Sequence, residues 1–147
     1  MERINEDYII RIKSSIEQQP DQPETVELTT RGSFLKKNGS FFITYKESET
    51  TGYDGSITTL KVAEDASSVS MLRYGRANAR LVIERGKRNL CHYETGYGSL
   101  TLGVTADEIS SELNDKGGHV KFSYMLDANS ADLVSKSSLD VSVTHIN

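Results

Sequence analysis

The feature that most constrains the fold of this chain is the alternation of apolar and polar residues with a period of two. It is clearest in residues 89–104, NLCHYETGYGSLTLGV, which read as two strands joined by a glycine-containing turn. The positions that would share the core face of this hairpin are Cys91, Tyr93, Thr95 and Tyr97 on the first strand and Leu100, Leu102 and Val104 on the second. Because successive side chains of a strand point to opposite faces, the pattern is typical of an antiparallel sheet with one face in water.

The same alternation recurs along most of the chain, in short segments separated by turn sequences. Residues 8–16 and residues 40–46 both show it. The dipeptide Asn38-Gly39 stands just before the second of these segments and predicts a tight hairpin turn there. Residues 47–56, ESETTGYDGS, are polar and acidic, so we expect an exposed loop.

These segments add up to about nine to eleven short strands at a spacing of about 8–14 residues. A sheet with so many strands would expose two edges unless it closed on itself. Short turns join successive strands, and this favours an up-and-down barrel over a sandwich. We therefore predict an all-β chain, residues 1–147, that forms a single antiparallel up-and-down barrel domain of about 8–11 strands with at most one short helix.

Residues 105–113 allow two interpretations. The segment begins with TADE, which matches a helix capping box, and Ile109 and Leu113 are spaced as on one face of a helix. The same apolar residues also fit a strand that continues through a bulge at Asp107 and Glu108. We favour the strand, because the segments on both sides read as strands.

The composition of the chain bounds its class and location. Of its 147 residues, 36% are hydrophobic and 26% are charged, which is typical of a soluble globular protein. No apolar run approaches the roughly 20 residues that cross a membrane, and the start, MERINEDYII, lacks the apolar stretch of a secretory signal. The single cysteine, Cys91, cannot form an internal disulfide, so we expect a buried thiol and a cytoplasmic location. The net charge of −4 argues against general nucleic-acid binding.

Residues 93–126, YETGYGSLTLGVTADEISSELNDKGGHVKFSYML, carry an ordered set of further features. The set comprises Tyr93, Tyr97 and Gly98 in the turn, Leu100 and Leu102 on one strand, Ile109 and Leu113 further on, Gly118 before an alternating strand, and, upstream, Arg73 two residues before Gly75. In this set the chain resembles the YwiB family of bacterial proteins, which has no assigned function. The resemblance implies a closed antiparallel barrel of the calycin type, the architecture of lipocalins and fatty-acid-binding proteins. It implies no catalytic residue and no cofactor.

The interior of such a barrel is where a ligand would bind. Arg73 shares strand parity with Val69 and Met71, which places its guanidinium inside the barrel or at one end. In one interpretation it is a structural plug that stacks on an aromatic ring and bonds to backbone carbonyls; in the other it is the counter-ion of a carboxylate ligand. We favour the plug. The inward polar groups that a ligand would meet beside Arg73 are Tyr93, Tyr97 and Tyr124.

A second candidate site is the basic segment between Arg73 and Arg88. It holds six of the 17 basic residues and one acid, Glu84, so its local charge is +5 while the rest of the chain carries −9. The side chains that would meet an anionic partner are Arg76, Arg80, Arg85, Lys87 and Arg88. Such a surface attracts anions, although charged turns are also common simply because they are solvated.

No residue pattern in the chain indicates catalysis. The three histidines lie far apart and have no partners at metal-ligand spacing, and we find no nucleotide-binding or hydrolase motif. Two hypotheses of function remain. In the first, the protein is a non-catalytic barrel without cofactor or metal that binds a small apolar molecule or a carboxylate in its interior. In the second, it is a protein-interaction or structural module with a filled interior that uses its outer face or the basic segment.

Overall fold

The computed structural model describes residues 6–17, 22–76, 78–95, 98–129 and 132–146. These residues form ten β-strands and no helix. The strands are β1 (Tyr8–Glu17), β2 (Glu24–Lys37), β3 (Ser40–Lys46), β4 (Ser56–Ala63), β5 (Ser68–Gly75), β6 (Ala79–Glu84), β7 (Arg88–Thr95), β8 (Gly98–Asn114), β9 (Gly117–Asn129) and β10 (Asp132–His145).

Each strand pairs antiparallel with its neighbours in sequence, and β10 pairs with β1, so the sheet closes into an up-and-down barrel. The closing seam is long, because β1 and β10 pair from Tyr8 opposite His145 to Glu17 opposite Lys136. The thinnest seam joins β6 and β7, which pair within the described residues only through Ala79 and Tyr93. The predicted single antiparallel barrel is thus confirmed, with ten strands. None of the described residues forms a helix long and apolar enough to cross a membrane.

The hairpin between β2 and β3 shows how the local sequence sets the register. Asn38 and Gly39 have φ angles of 50° and 77°, the left-handed conformations that a two-residue hairpin turn requires. Pairing starts directly at the turn, with Lys37 opposite Ser40. This register points alternate residues of β3 into the barrel, and these are the buried side chains Phe41, Ile43 and Tyr45.

Residues 105–113 lie within β8, so the strand interpretation is confirmed. The pairing of β8 with β9 shifts between Ala106 and Glu108, which places the bulge at Asp107. Ser123 Oγ, on β9, donates a hydrogen bond to the Asp107 carboxylate at 2.9 Å. The bulge absorbs one polar residue and lets the strand keep its apolar alternation beyond it.

The interior is filled by aromatic rings at the end where β1 and β3 begin, and by aliphatic side chains in the middle. Phe34 and Phe41 stack with ring centroids 5.7 Å apart, and Tyr8 meets Phe34 edge-on at 5.4 Å. Among the described residues, the apolar ones with no exposed surface are Ile10, Ile43, Leu60, Val62, Val69, Ile83, Val104, Val120, Phe122 and Val141. Burial of this apolar surface is the main favourable contribution to folding.

The hairpin of β7 and β8 contributes only part of its length to this core. Cys91 and Val104 are buried, and Leu102 is half-buried. Leu100 is 53% exposed, so the prediction that it faces the core is wrong. It lies near the beginning of β8, beyond the packed part of the interior, where alternation alone no longer implies burial.

Candidate functional site

A cavity of about 90 Å³ lies inside the barrel, at the end where β1, β3 and β5 finish. One part of its wall is apolar and consists of Ile12, Ile16, Val26, Met71 and Leu139. The hydroxyl-bearing part of the wall consists of Ser14, Ser15, Tyr45, Thr51, Tyr53, Tyr124 and Ser137. The two charged residues of the described wall are Arg73 and Glu47.

Small inward side chains keep this end of the barrel open. On the inner face of β1, Ile10 and Ile12 are followed by Ser14. On the inner face of β10, Leu139 and Val141 are preceded by Ser137. A serine fills less of the interior than the aliphatic residues that precede or follow it on the same face. The cavity is therefore a consequence of residue choice at one end of neighbouring strands.

The cavity wall contains a buried ion pair. Arg73, on β5, is 7% exposed, and Glu47, directly after β3, is 8% exposed. Arg73 Nε lies 3.4 Å from Glu47 Oε2 and donates a hydrogen bond to Thr58 Oγ1 at 3.3 Å. Thr58 Oγ1 donates to the same Glu47 oxygen at 2.7 Å. The three side chains form a closed cluster in which the two opposite charges balance.

The strand register explains why these residues meet. Thr58, on β4, pairs with Tyr45 on one side and with Arg73 on the other, so the three inner side chains lie next to one another. Glu47 stands two residues after Tyr45 and keeps the same inward direction. Its backbone N–H donates to the carbonyl of Ser56 at 2.9 Å, which extends the pairing of β3 and β4 by one step.

The loop of residues 47–55 covers one side of the ion pair. The Tyr53 ring centroid lies 3.6 Å from Arg73 Cζ, which is a cation–π contact. A turn holds the loop, since Thr51 donates to the Ser48 carbonyl both from its backbone N, at 3.2 Å, and from its hydroxyl, at 3.0 Å. Arg73 therefore stacks on an aromatic ring, as the plug interpretation predicts. Among the described residues, its oxygen partners are the side chains of Thr58 and Glu47 and not backbone carbonyls.

Two buried tyrosines complete the polar wall. Burial raises the pKa of Tyr45 well above its ordinary value, and the negative charge of Glu47 adds to this shift while the Arg73 guanidinium opposes it. Burial also raises the pKa of Tyr124, and the Ser137 hydroxyl opposes that shift. Both phenols stay protonated at neutral pH and can donate or accept a hydrogen bond.

The structure brings together two of the four residues predicted to meet a ligand, Arg73 and Tyr124, which line the same cavity. Tyr93 lies in β7, and its side chain is outside the described part of the chain. Tyr97 lies outside the described residues altogether. Their proximity to a ligand stays a prediction.

Glu47 is the site residue that sequence reasoning missed. The acidic composition of residues 47–56 predicts an exposed loop, and this prediction is wrong for Glu47, which is buried. The signal that could have found it is the alternation of β3, because Ile43 and Tyr45 place Glu47 on the same inner face. Tyr53 carried no comparable signal, since its position depends on the path of the loop.

The basic segment divides between the two ends of β6. At the cavity end, Arg76 lines a surface groove together with Glu49 and Asp54, so acidic side chains surround it. Arg80 lies on the outer face of β6, is exposed, and stands opposite Leu72 of β5. These two arginines are therefore separated from the rest of the segment by most of a strand.

At the other end of β6 the cations have partners within the chain. Arg85 donates hydrogen bonds to backbone carbonyls of the β4–β5 turn and of β8. Lys87 Nζ lies 3.5 Å from the carboxylate of Glu84, and Arg88 Nε lies 3.1 Å from a carboxylate oxygen of Asp127. Binding of an anionic partner to this segment stays a prediction, and the five cations do not form one continuous surface.

Within the described part of the chain, no three His, Cys, Asp or Glu side chains are arranged to hold a metal ion. Cys91 is a buried free thiol, and burial raises its pKa. The thiol is therefore protonated at neutral pH and packs as a small apolar side chain.

Comparison with known proteins agrees with this architecture. The crystal structure of the YwiB protein from Bacillus subtilis matches with a TM-score of 0.74 at 21% identity, over 92% of this chain and 89% of that one. In sequence, the chain is 26% identical over 115 residues, 78% of either protein, to the uncharacterized beta-barrel protein YwiB of Bacillus subtilis (strain 168). The resemblance to the YwiB family is thus confirmed. The model of the family described as "Domain of unknown function (DUF1934)" matches residues 10–141, nearly the whole barrel. The chain is therefore a member of the DUF1934 family.

Proposed function

We propose that this protein is a non-catalytic binding protein whose ligand is a small, mainly apolar molecule with one polar end. The observation that carries the proposal is the cavity, in which an apolar wall faces a set of converging polar groups. Binding sites for small molecules combine these two features, since the apolar wall supplies affinity and the few polar groups fix orientation.

The two walls assign the two ends of the ligand. Its apolar part would lie against Ile12, Met71 and Leu139. Its polar end would meet the hydroxyls of Tyr45 and Tyr124, which are protonated and stand beside the ion pair. The wall thus offers both donors and acceptors at one side of an apolar space.

The volume of the cavity limits the size of the bound group. Sites for drug-sized ligands measure about 300–1,000 Å³, whereas this cavity measures about 90 Å³. Since a water molecule occupies about 30 Å³ of liquid, the cavity holds a group of about three to six non-hydrogen atoms. The ligand is either a molecule of that size or the terminal group of a longer one.

The test is a titration of the methyl-labelled protein with 1-butanol, followed by NMR. We expect saturable shifts of the Met71 and Leu139 methyl signals, with a Kd in the millimolar range because so few atoms bind. The exposed Leu35 and Leu90 supply control methyls, which should not shift. A Ser137→Leu variant places a larger side chain at the cavity wall and should abolish the shifts while the control signals remain.

Two results would contradict the proposal. In the first, the methyls that line the cavity do not respond to 1-butanol or to other small neutral alcohols. In the second, outer-face and cavity methyls shift equally and without saturation, which indicates non-specific contact with the alcohol.

We further propose that the protein acts in the cytoplasm. The support is Cys91, the single cysteine, which is free and buried, as is common in a reducing compartment. Fractionation of the cells that naturally make the protein tests this, and recovery outside the cytoplasmic fraction would contradict it.

A further inference from the structure

We propose that Glu47 determines the charge of the ligand: it lies beside the guanidinium of Arg73 and balances its charge, so the site accepts a neutral polar group and rejects a carboxylate. This inference rests on the proposed binding function and names the chemistry of the ligand's polar end. It also assigns to Glu47 a role in specificity that the sequence pattern did not indicate.

Glu47 lies at the Nε edge of the Arg73 guanidinium. Its Oε2 accepts from Thr58 at 2.7 Å and lies 3.4 Å from Arg73 Nε. The Tyr53 ring also packs against the guanidinium, with its centroid 3.6 Å from Cζ. A terminal nitrogen of Arg73 lies 3.8 Å from the sulfur of Met71, which is a weak contact. The strong acceptor near the guanidinium is therefore already supplied by the chain itself.

The net charge of the cavity wall determines which ligand groups can bind beside the Arg73–Glu47 pair. Arg73 and Glu47 are the two charged residues of the described wall, so the site carries no net charge. A ligand carboxylate at the guanidinium edge would lie about 6 Å from the Glu47 carboxylate, and repulsion at that distance weakens binding by about tenfold to a hundredfold. The ligand would also lose its hydration, and a balanced pair offers little compensation for that loss.

A neutral polar group is not repelled by the Glu47 carboxylate. An alcohol or an amide can exchange hydrogen bonds with the phenols of Tyr45 and Tyr124 without bringing charge into the cavity. Its desolvation costs less than that of a carboxylate. Alcohols and amides are therefore the ligand class that fits the wall as it stands.

Matched probes and a matched variant test the role of Glu47. The probes are butanamide and butanoate, which have nearly the same shape and differ in charge. The variant is Glu47→Gln, which keeps an oxygen acceptor for Thr58 and removes the negative charge. The control is Glu49→Gln, which removes the same charge from an exposed position of the same loop.

The wild-type protein should bind butanamide at least about tenfold more tightly than butanoate. In Glu47→Gln, butanoate affinity should rise by about tenfold to a hundredfold while butanamide affinity stays within about twofold. Glu49→Gln should behave as the wild type. All affinities are read from the methyl shifts of Met71 and Leu139, which also show that the probe is inside the cavity.

The inference is overturned if Glu47→Gln binds butanamide but gains no affinity for butanoate, or if the wild type prefers butanoate. If neither wild type nor variant binds butanamide, the proposed binding function itself fails, so the two failures are distinguishable. If Glu47→Gln does not fold, the ranking of the two probes in the wild-type protein still decides, because a preference for butanoate contradicts the role assigned to Glu47.

Discussion

Replacing Arg73 with methionine tests the buried ion pair most sharply. Arg73→Met keeps much of the apolar stem and removes the guanidinium, so the Glu47 carboxylate is left buried with Thr58 as its remaining partner. Two opposite charges 3.4 Å apart attract by about 5 kcal/mol at an effective dielectric constant of about 20. Removing one member of a buried pair typically costs about 3–5 kcal/mol, and loss of the contact with Tyr53 adds to that cost. We therefore expect Arg73→Met to lower the free energy of unfolding by about 3–5 kcal/mol.

The assay is equilibrium unfolding in urea, monitored by tyrosine fluorescence and by circular dichroism. With a slope of about 2 kcal/mol per molar urea, the midpoint should fall by about 1.5–2.5 M while the slope stays constant. Lys13→Met is the matched control, because Lys13 forms an exposed pair with Glu27 at 3.9 Å and should contribute about 0–1 kcal/mol.

A double variant separates the loss of charge balance from the loss of packing. Glu47→Gln combined with Arg73→Met removes both charges and should be about 2 kcal/mol more stable than Arg73→Met alone. A destabilisation by Arg73→Met of less than about 1 kcal/mol, or simple additivity in the double variant, would refute the reasoning.

Two further predictions concern titration. The pKa values of Tyr45 and Tyr124 are raised in the folded protein, so both phenols stay protonated there at a pH at which the unfolded chain ionises its tyrosines. The free energy of unfolding should therefore be unaffected by these two tyrosines below about pH 10 and should fall by roughly 2–3 kcal/mol per pH unit above it. Urea midpoints measured between pH 8 and pH 11 check this, and a midpoint independent of pH above 10 would count against burial of these phenols. In Gly103→Ala the new Cβ would overlap the Arg88 guanidinium, which must shift, and we expect the shift to weaken its contact with Asp127. The Arg88 hydrogen bond lowers the pKa of Asp127, so this pKa should rise towards its ordinary value in the variant. Protonation of Asp127 at low pH should therefore reduce the free energy of unfolding by less in the variant than in the wild type. NMR of the Asp127 carboxyl carbon measures this pKa, and an unaltered pKa in the variant would show that Arg88 is not the cause of its lowering.

Much of the barrel follows from local sequence. The alternation in β3 and the Asn38-Gly39 turn before it fix both the strand and its register, because a period of two cannot slip by one residue without exposing the core face. Residues 105–113 show the limit of the local signal, since helical and strand spacing both fit. Their assignment depended on neighbouring strands, and the bulge at Asp107 lies inside the TADE sequence that also matches a capping box.

The candidate site is only partly readable from sequence. Parity places Arg73 inside, because it shares a face with Met71 on β5. Two of its partners lie outside β5 and its neighbour β4: Glu47 directly follows β3, and Tyr53 belongs to a loop whose path no periodicity describes. The charge state of the site depends on these long-range contacts, so a free counter-ion and a neutralised one look alike in the sequence.

A high-resolution crystal structure of the protein soaked in 1-butanol tests the central claim most directly. We predict electron density for the alcohol between Met71 and Leu139, with its oxygen within hydrogen-bonding distance of the Tyr45 or Tyr124 hydroxyl and the Arg73–Glu47 pair intact. An interior filled by side chains at this end of the barrel, or butanol bound only on the outer surface, would contradict the claim.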